Sequence, residues 1–308
     1  MRALVTGGAG FIGSNLVDGL LARGDEVAVI DNLSTGRRAN LAPEAELVEL
    51  DIREADRVHA EVARLRPDAI FHLAAQIDVS RSVADPALDS AINVGGTAIL
   101  LEAARRAEAG RFVFTSTGGA IYGVADRVPT PEDAAIRPMA PYGQSKFAAE
   151  GYCHLYARLH GLSTACLRYG NVFGPRQDPL GEAGVVAIFC GRALYGGGPP
   201  IVYCDGRQTR DYVFVGDVVA ANLAASAAQA GGSINIGTGA ETSVLDLLAI
   251  LCELAPDARL EPEFVPPRLG EIERSALDVS LAGRVLGWRA RTGLREGLER
   301  TLEAARAA

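Results

Sequence analysis

Leu4-Val5-Thr6 is a short apolar run that passes directly into Gly7-Gly8-Ala9-Gly10-Phe11-Ile12-Gly13, and an amphipathic stretch over 14–23 leads to a second apolar run, 26–30, closed by Asp31. An order of strand, glycine loop, helix, strand and acid leaves a chain few folds to choose from. Glycines at 7, 10 and 13 let the backbone turn tightly and approach a pyrophosphate, with Phe11 and Ile12 in the same cofactor-binding loop, N–H groups at the terminus of the helix that follows hold phosphate charge, and an acid eighteen residues past Gly13 accepts ribose hydroxyls. The stretch predicts a dinucleotide-binding βαβ unit. Asp31 also bears on which dinucleotide: its carboxylate repels a 2′-phosphate and so favours NAD over NADP, while Arg37 and Arg38 in the following loop are the cations that would oppose this preference.

The alternation continues along the chain. Strand patterns at 46–50, 69–73, 111–115 and 163–168 alternate with helical patterns at 54–65, around 91–107 and around Tyr142. That order predicts a Rossmann-type α/β fold, a doubly wound parallel sheet with helices on both faces. Asp51 and Ile52 fall at the end of the third strand, where an adenine can be gripped, and Ala74 and Ala75 after the fourth are small enough for a cofactor to pass closely. Beyond Gly170 the texture changes to a loop over 171–179, a helix over 184–195, and strands at 201–203 and 211–215. A helix at 218–228 with Asp217 as its N-cap, a strand at 233–236, a helix at 244–255 capped by Thr242 or Ser243, a strand near 261–265 and helices at 281–286 and 294–305 complete the reading. The chain is expected to divide into a dinucleotide-binding domain over 1–170, to which part of 201–235 returns, and a smaller α/β lobe over 171–308, with a cleft between them.

Among thirty basic residues only Lys146 is a lysine; the other twenty-nine are arginines. Where bulk positive charge is supplied by arginine, the one lysine calls for a task that a planar, permanently charged fork cannot do. Tyr142 stands four residues earlier on a predicted helix, and side chains at i and i+4 share a face. A free phenol ionises near pH ~10, and a neighbouring ammonium favours the phenolate, so the pair has the makings of a general base.

Composition excludes several classes. A formal charge of −8 argues against a nucleic-acid surface, no apolar run reaches the ~18 residues of a membrane span, and the chain enters its first strand without a charged leader, so a cytoplasmic protein is expected. The five cysteines are odd in number without paired spacing and read as buried or free thiols in a reducing compartment, and the four histidines form no metal-ligand pattern.

With these features placed, the chain resembles the extended short-chain dehydrogenase/reductase family, and within it the nucleotide-sugar 4-epimerases of the UDP-glucose 4-epimerase type. The resemblance runs end to end through Thr6 to Gly13, Asp31-Asn32-Leu33-Ser34-Thr35-Gly36, Asp51-Ile52-Arg53, His72-Leu73-Ala74-Ala75, Asn93-Val94-Gly95-Gly96-Thr97, Pro141-Tyr142-Gly143, Leu167-Arg168-Tyr169-Gly170-Asn171 and Thr209-Arg210-Asp211-Tyr212-Val213. It implies NAD held tightly by the first domain, with Asn32, Ser34, Gly36, Leu73 and Asn93 added to its contacts, and a UDP-sugar held by the second. It gives Tyr142 the role of base at the sugar 4-hydroxyl and Lys146 a bond to the nicotinamide ribose. The hydroxyl that completes the set is Thr117 counted from the strand, with Ser116 as the fallback because counting back from Tyr122 falls on Gly118. For the nucleotide diphosphate and base it implies Asn171, Val186, Tyr203, Arg210 and Arg268, with Arg176 and Glu182 as further candidates near the sugar. It also implies a homodimer through helices near 98–106 and 147–160.

Relatives that remove water or carboxylate carry acids after the threonine, where this chain has Gly118 and Gly119. A ketone formed at C4 then has no assigned partner for elimination, and its reduction from the other face inverts C4. Ser275 falls where the resemblance implies a gate between plain and bulky sugars, so N-acetylated UDP-hexoses are expected to fit. UDP-glucuronate 4-epimerisation is the alternative substrate reading, set lower by Asn171 where that group more often has Thr. A non-catalytic NAD-binding regulator is the alternative of another class, against which stands the joint presence of Tyr142, Lys146 and a Thr/Ser. A net oxidoreductase would need free cofactor exchange.

Overall fold

Strand β1 (Arg2–Thr6) sends Ala3 and Val5 into one apolar core and Leu4 into another, and its neighbours sort their side chains likewise, Val27 and Val29 against Ala28 and Ile30, Phe71 against Ile70, Val113 against Phe112 and Phe114. Period-two alternation with both faces buried is what a central parallel strand requires. The computed structural model describes residues 1–179, 184–258, 260–266 and 272–307. Strands β2 (Glu26–Asp31), β3 (Glu46–Glu49), β4 (Ala69–His72), β5 (Arg111–Thr117) and β6 (Thr164–Tyr169) follow β1 into one sheet. After β7 (Asn171–Phe173), β8 (Ile201–Tyr203), β9 (Thr209–Arg210) and β10 (Tyr212–Phe214), the chain returns with β11 (Gly232–Ile236) to pair beside β6. The seven-stranded order is β3-β2-β1-β4-β5-β6-β11, parallel throughout, so the direction of winding reverses between β1 and β4. Ligands of doubly wound sheets bind outside the strand C-termini at such a reversal.

Helices α1 (Phe11–Ala22), α2 (Ala55–Leu65), α3 (Val79–Ala84), α4 (Pro86–Ser90), α5 (Thr97–Arg106), α6 (Gly118–Ile121) and α7 (Pro141–His160) alternate with the first strands. They are followed by α8 (Val185–Tyr195), α9 (Val215–Ala227), α10 (Val244–Leu254), α11 (Ser280–Leu286) and α12 (Leu294–Ala307). One face of the sheet is covered by α1, α9 and α11, the other by α2, α5 and α7. Beyond the sheet, β7 with β10, β8 with β13 (Glu263–Val265) and β9 with β12 (Thr242–Ser243) form two-stranded ribbons. A third core packs α8, α10 and α12 around Phe173, Phe189, Val202 and Leu247. Among the described residues no helix is long and apolar enough to cross a membrane.

Two expectations are corrected. The helix expected over 91–107 is a π-helical segment, Ala91–Gly96, continued by α5, and it is preceded by α3 and α4, whose N-caps Asp78 and Asp85 accept from the N–H groups of Arg81 and Leu88. Asp217 lies inside α9 rather than capping it, and its carboxylate instead accepts the N–H groups of Arg291 and Thr292 at 3.1 and 3.0 Å. Ser243 caps α10 in a reciprocal box with Asp246.

Candidate active site

The glycine loop leaves no room for side chains. A Cβ on Gly7, whose φ is +70°, would lie 2.6 Å from the Ala74 nitrogen, and one on Gly13 would lie 2.1 Å from the Gly7 carbonyl oxygen. Gly10 stands at the N-cap of α1 without any capping side chain, so the helix start formed by Phe11, Ile12 and Gly13 keeps its dipole open to an anion. Asp31, at the end of β2, accepts from the N–H groups of Ala9 and Leu33 at 2.9 and 2.8 Å. Each oxygen keeps a lone pair for a ribose hydroxyl. Gly36 packs against Ala9 and Asp31, and the Asn32 amide joins the second strand end to the third by donating to Asp51 at 2.9 Å while accepting from the Ser34 N–H. Hydrogen bonds from Arg53 hold Asp51 well below the usual carboxylate range against the opposing pull of burial, and Ile52 packs beneath Gly96. Leu73 and Ala74 turn off β4 onto Thr6, and Ala75 follows. These residues fit a bound dinucleotide. The two arginines that would oppose NAD are both paired, Arg37 with Asp178 at 2.8 Å and Arg38 with Glu49 at 3.6 Å.

Across the reversal point, α7 opens with Pro141 at its first position, which sets Tyr142 and Lys146 one turn apart beside the end of β5. Lys146 is 2% exposed and its Nζ lies 4.7 Å from the centre of the Phe114 ring. Burial pulls the ammonium down to about 8, against the favourable fields of Cys153, Asp89, Glu150 and Cys166. Tyr142 is half-buried, and its phenol is pushed up to about 12, first by desolvation and then by the Asp89 carboxylate, with a hydrogen bond to Thr117 working the other way. The expectation that Lys146 draws Tyr142 toward neutrality is therefore not met by the protein's groups alone. The alternation of β5 settles which hydroxyl faces the pair: Thr117 meets the Tyr142 phenol, whereas Ser116 points the other way and donates to Glu150, itself held by Arg168 in a buried ion pair of 2.7 Å.

Residues beyond Gly170 reach the same end of the sheet. Asn171 donates its N–H to the Asp211 carbonyl at 2.7 Å, and its Oδ1 would lie 3.5 Å from a Cβ on Gly119. A Cβ on Gly118 would meet the buried Leu277 side chain at 2.6 Å, so an acid at that position would have to displace it. Arg210 Nη1 donates to the carbonyls of Thr209 and Ile272 at 2.8 and 2.7 Å, and Ser275 is half-buried on the strip from Ile272 to Leu277. Tyr203 ends β8 half-buried, and Val186 is a core residue of α8. Arg176 pairs with Asp18 of α1. Glu182 and Arg268 lie outside the described residues.

Comparison with known proteins agrees with this geometry. The model of the NAD dependent epimerase/dehydratase family matches residues 3–237. The chain is 49% identical to a UDP-glucose 4-epimerase of Mycolicibacterium smegmatis over 98% of both chains. Its fold is similar to the crystal structure of a Thermotoga maritima UDP-glucose 4-epimerase with UDP-glucose, at a TM-score of 0.97 and 45% identity over 100% of this chain and 99% of that one. A Thermus thermophilus UDP-glucose 4-epimerase in complex with NAD matches at a TM-score of 0.94 and 45% identity over the full length of both. The chain belongs to the NAD dependent epimerase/dehydratase family.

Two groups of this family member escaped the sequence reading. The Thr6 hydroxyl meets His72 Nδ1 at 2.7 Å, and His72 Nε2 meets the Thr97 hydroxyl at 2.9 Å, whose own proton goes to the Asn93 carbonyl at 2.6 Å. Those partners assign a neutral ring protonated on Nε2, and burial, with the Lys146 charge second, pushes His72 down to about 3. Asn93 uses its amide within the protein, accepting from the Gln76 N–H and donating to the Gln76 carbonyl, Asp89 and Ser145. It ties elements together at the point where a direct cofactor contact was expected of it. Asp89 is the second such group, a buried acid on a short helix that no periodic pattern marks.

Proposed function

We propose that the protein is an isomerase that inverts C4 of UDP-hexoses, interconverting UDP-glucose and UDP-galactose through a transient 4-keto sugar with tightly bound NAD. The observation that carries this reading is the Thr117 hydroxyl meeting the Tyr142 phenol at the end of β5, one helical turn from Lys146, with Gly118 backed by Leu277 where an eliminating relative needs an acid. Bound NAD supplies the reversible oxidation at C4, together with the positive charge that a phenol pushed up to about 12 needs to ionise near neutrality. Tyr142 takes and returns the 4-hydroxyl proton, Thr117 orients that hydroxyl, and Lys146 holds the nicotinamide ribose. Gly7, Gly10 and Gly13 with the start of α1 hold the pyrophosphate, and Asp31 the adenosine ribose. Asn171, Tyr203, Arg210 and Arg268 bind the nucleotide diphosphate and base, guanidinium matching phosphate by its fork of donors.

The half-buried, small Ser275 leaves space for an N-acetyl group, which extends the proposed range to UDP-GlcNAc and UDP-GalNAc. Exposed Phe147 and Tyr152 on α7, at 38 and 41%, support a homodimer through α5 and α7, and an odd number of cysteines without paired spacing supports a reducing, cytoplasmic setting. The test is incubation of the purified protein with UDP-Glc, UDP-GlcNAc and UDP-GlcA separately, reading the 4-epimers by NMR. UDP-galactose is the expected product of the first; inversion of none removes the reading, and good turnover of UDP-Glc beside failure on both N-acetyl sugars removes the breadth assigned to Ser275.

A further inference from the structure

Asp89 is 1% exposed on α4, which packs against α7. Its Oδ1 accepts from Gln76 Nε2 and Asn93 Nδ2, both at 3.0 Å, and its equally buried Oδ2 has no hydrogen-bond partner among the described residues. Both donors are neutral amides. An ionised carboxylate held this way is costly, and a chain that needed only a tie between Gln76 and Asn93 would be served as well by asparagine. The charge itself therefore calls for a use.

The neighbours of the Tyr142–Lys146 pair narrow that use. From α7, Glu150 faces Lys146, but Arg168 of β6 grips it through Nε and Nη2 at 2.9 and 2.7 Å, and Ser116 and Ser233 donate to it as well. From β4, His72 is neutral; from β6, the Cys166 thiol is pushed well up by its contact with Cys153 and by burial; from β5, Thr117 offers a hydroxyl. Asp89 is thus the carboxylate beside the pair that no arginine grips among the described residues, which leaves Lys146 as the cation in its field. It is also mechanically linked to the pair: Asn93 Nδ2, bonded to Asp89, reaches Ser145 Oγ at 3.2 Å, and Ser145 donates to the Tyr142 carbonyl at 3.0 Å.

We propose that Asp89 is a positioning residue for the Tyr142–Lys146 pair, fixing the first turn of α7 through Asn93 and Ser145 and setting a buried carboxylate beside Lys146. The inference rests on reading the pair as the acid–base unit of an epimerase, but its test does not. Because Lys146 is the only lysine, protein grown on lysine labelled with ¹³C at Cε shows one side-chain resonance, whose pH titration reports this group alone. The wild-type midpoint is expected near 8. In Asp89→Asn, which keeps the Oδ1 acceptor and removes the charge, the midpoint falls by roughly one unit, the size of shift a nearby charge confers. The acid limb of the epimerisation profile moves to lower pH in the same variant, since the phenolate is no longer opposed. Asp89→Ser, which retains an acceptor for Asn93, shifts both in the same direction. An unchanged Lys146 midpoint in either folded variant overturns the proposal, as does failure of both to fold, which would make Asp89 a packing residue only. Should the wild-type protein invert no UDP-sugar, the functional reading falls while the lysine titration still decides the role of Asp89.

Discussion

At Gly7 and Gly13 one added carbon would sit 2.6 Å from the Ala74 nitrogen and 2.1 Å from a carbonyl oxygen, whereas Arg210 and Tyr203 in the second lobe stand half-buried on strands of two and three residues. The sheet end fixes its groups by backbone sterics and by bonds that pass from Thr6 through His72, Thr97, Asn93 and Ser145 to Tyr142. The lobe fixes Arg210 by two carbonyls across a two-residue strand. Chemistry that must hold two groups within tenths of an ångström belongs on the first kind of support, and recognition of a flexible nucleotide sugar tolerates the second.

Substitutions in the two regions should differ in kind as well as size. Tyr142→Phe should lower kcat by roughly 10²- to 10⁴-fold, the contribution of a positioned acid–base group, with NAD still retained on purification and KM little changed. Lys146→Arg keeps the charge yet misplaces its donors, and should likewise damage turnover far more than thermal stability. Arg210→Ala should instead raise KM about 10- to 100-fold with a smaller change in kcat, as the loss of one charged hydrogen bond predicts. A kcat loss without a KM change at Arg210 would break the division between the regions. Gly118→Asp should yield no dehydrated sugar and should cost about 1–3 kcal/mol of stability in urea unfolding, because the new side chain displaces Leu277.

The smallest effect is on pH. Turnover should decline as pH rises through about 8, where Lys146 loses its proton. His72 is depressed to about 3 in the folded chain from 6.5, so the unfolded state binds the extra proton between these values. Its contribution to stability is present above 6.5 and is lost as pH falls toward 3, to be checked by unfolding midpoints of wild type against His72→Asn across that window.

The sheet half was largely legible in the sequence because sterics leave their mark there: glycines where a Cβ clashes, alternating apolar strands, an acid at the end of β2. Lys146 was legible because arginine had replaced lysine everywhere else. What could not be read was orientation. Counting from the strand selects Thr117 and counting back from Tyr122 falls on Gly118, which left Ser116 as a fallback until the pleat of β5 turned Ser116 toward Glu150 and Thr117 toward Tyr142. Asp89 was hidden for a different reason, since a five-residue helix has no periodicity and an acid within it looks like surface. The caps Asp78 and Asp85 were the signals that could have revealed α3 and α4. Asp217 misled because an acid near a helix start usually caps it, and here tertiary contacts to Arg291 and Thr292 claimed it.

The central claim is that the sheet end carries out oxidation and reduction at one carbon with no outlet for the ketone. UDP-glucose carrying deuterium at C4, incubated with the purified protein and followed by NMR, tests it directly. UDP-galactose with the deuterium retained at C4 and no 6-deoxy product is the expected outcome. Loss of the label to water, or accumulation of a 4-keto-6-deoxy sugar, would contradict it.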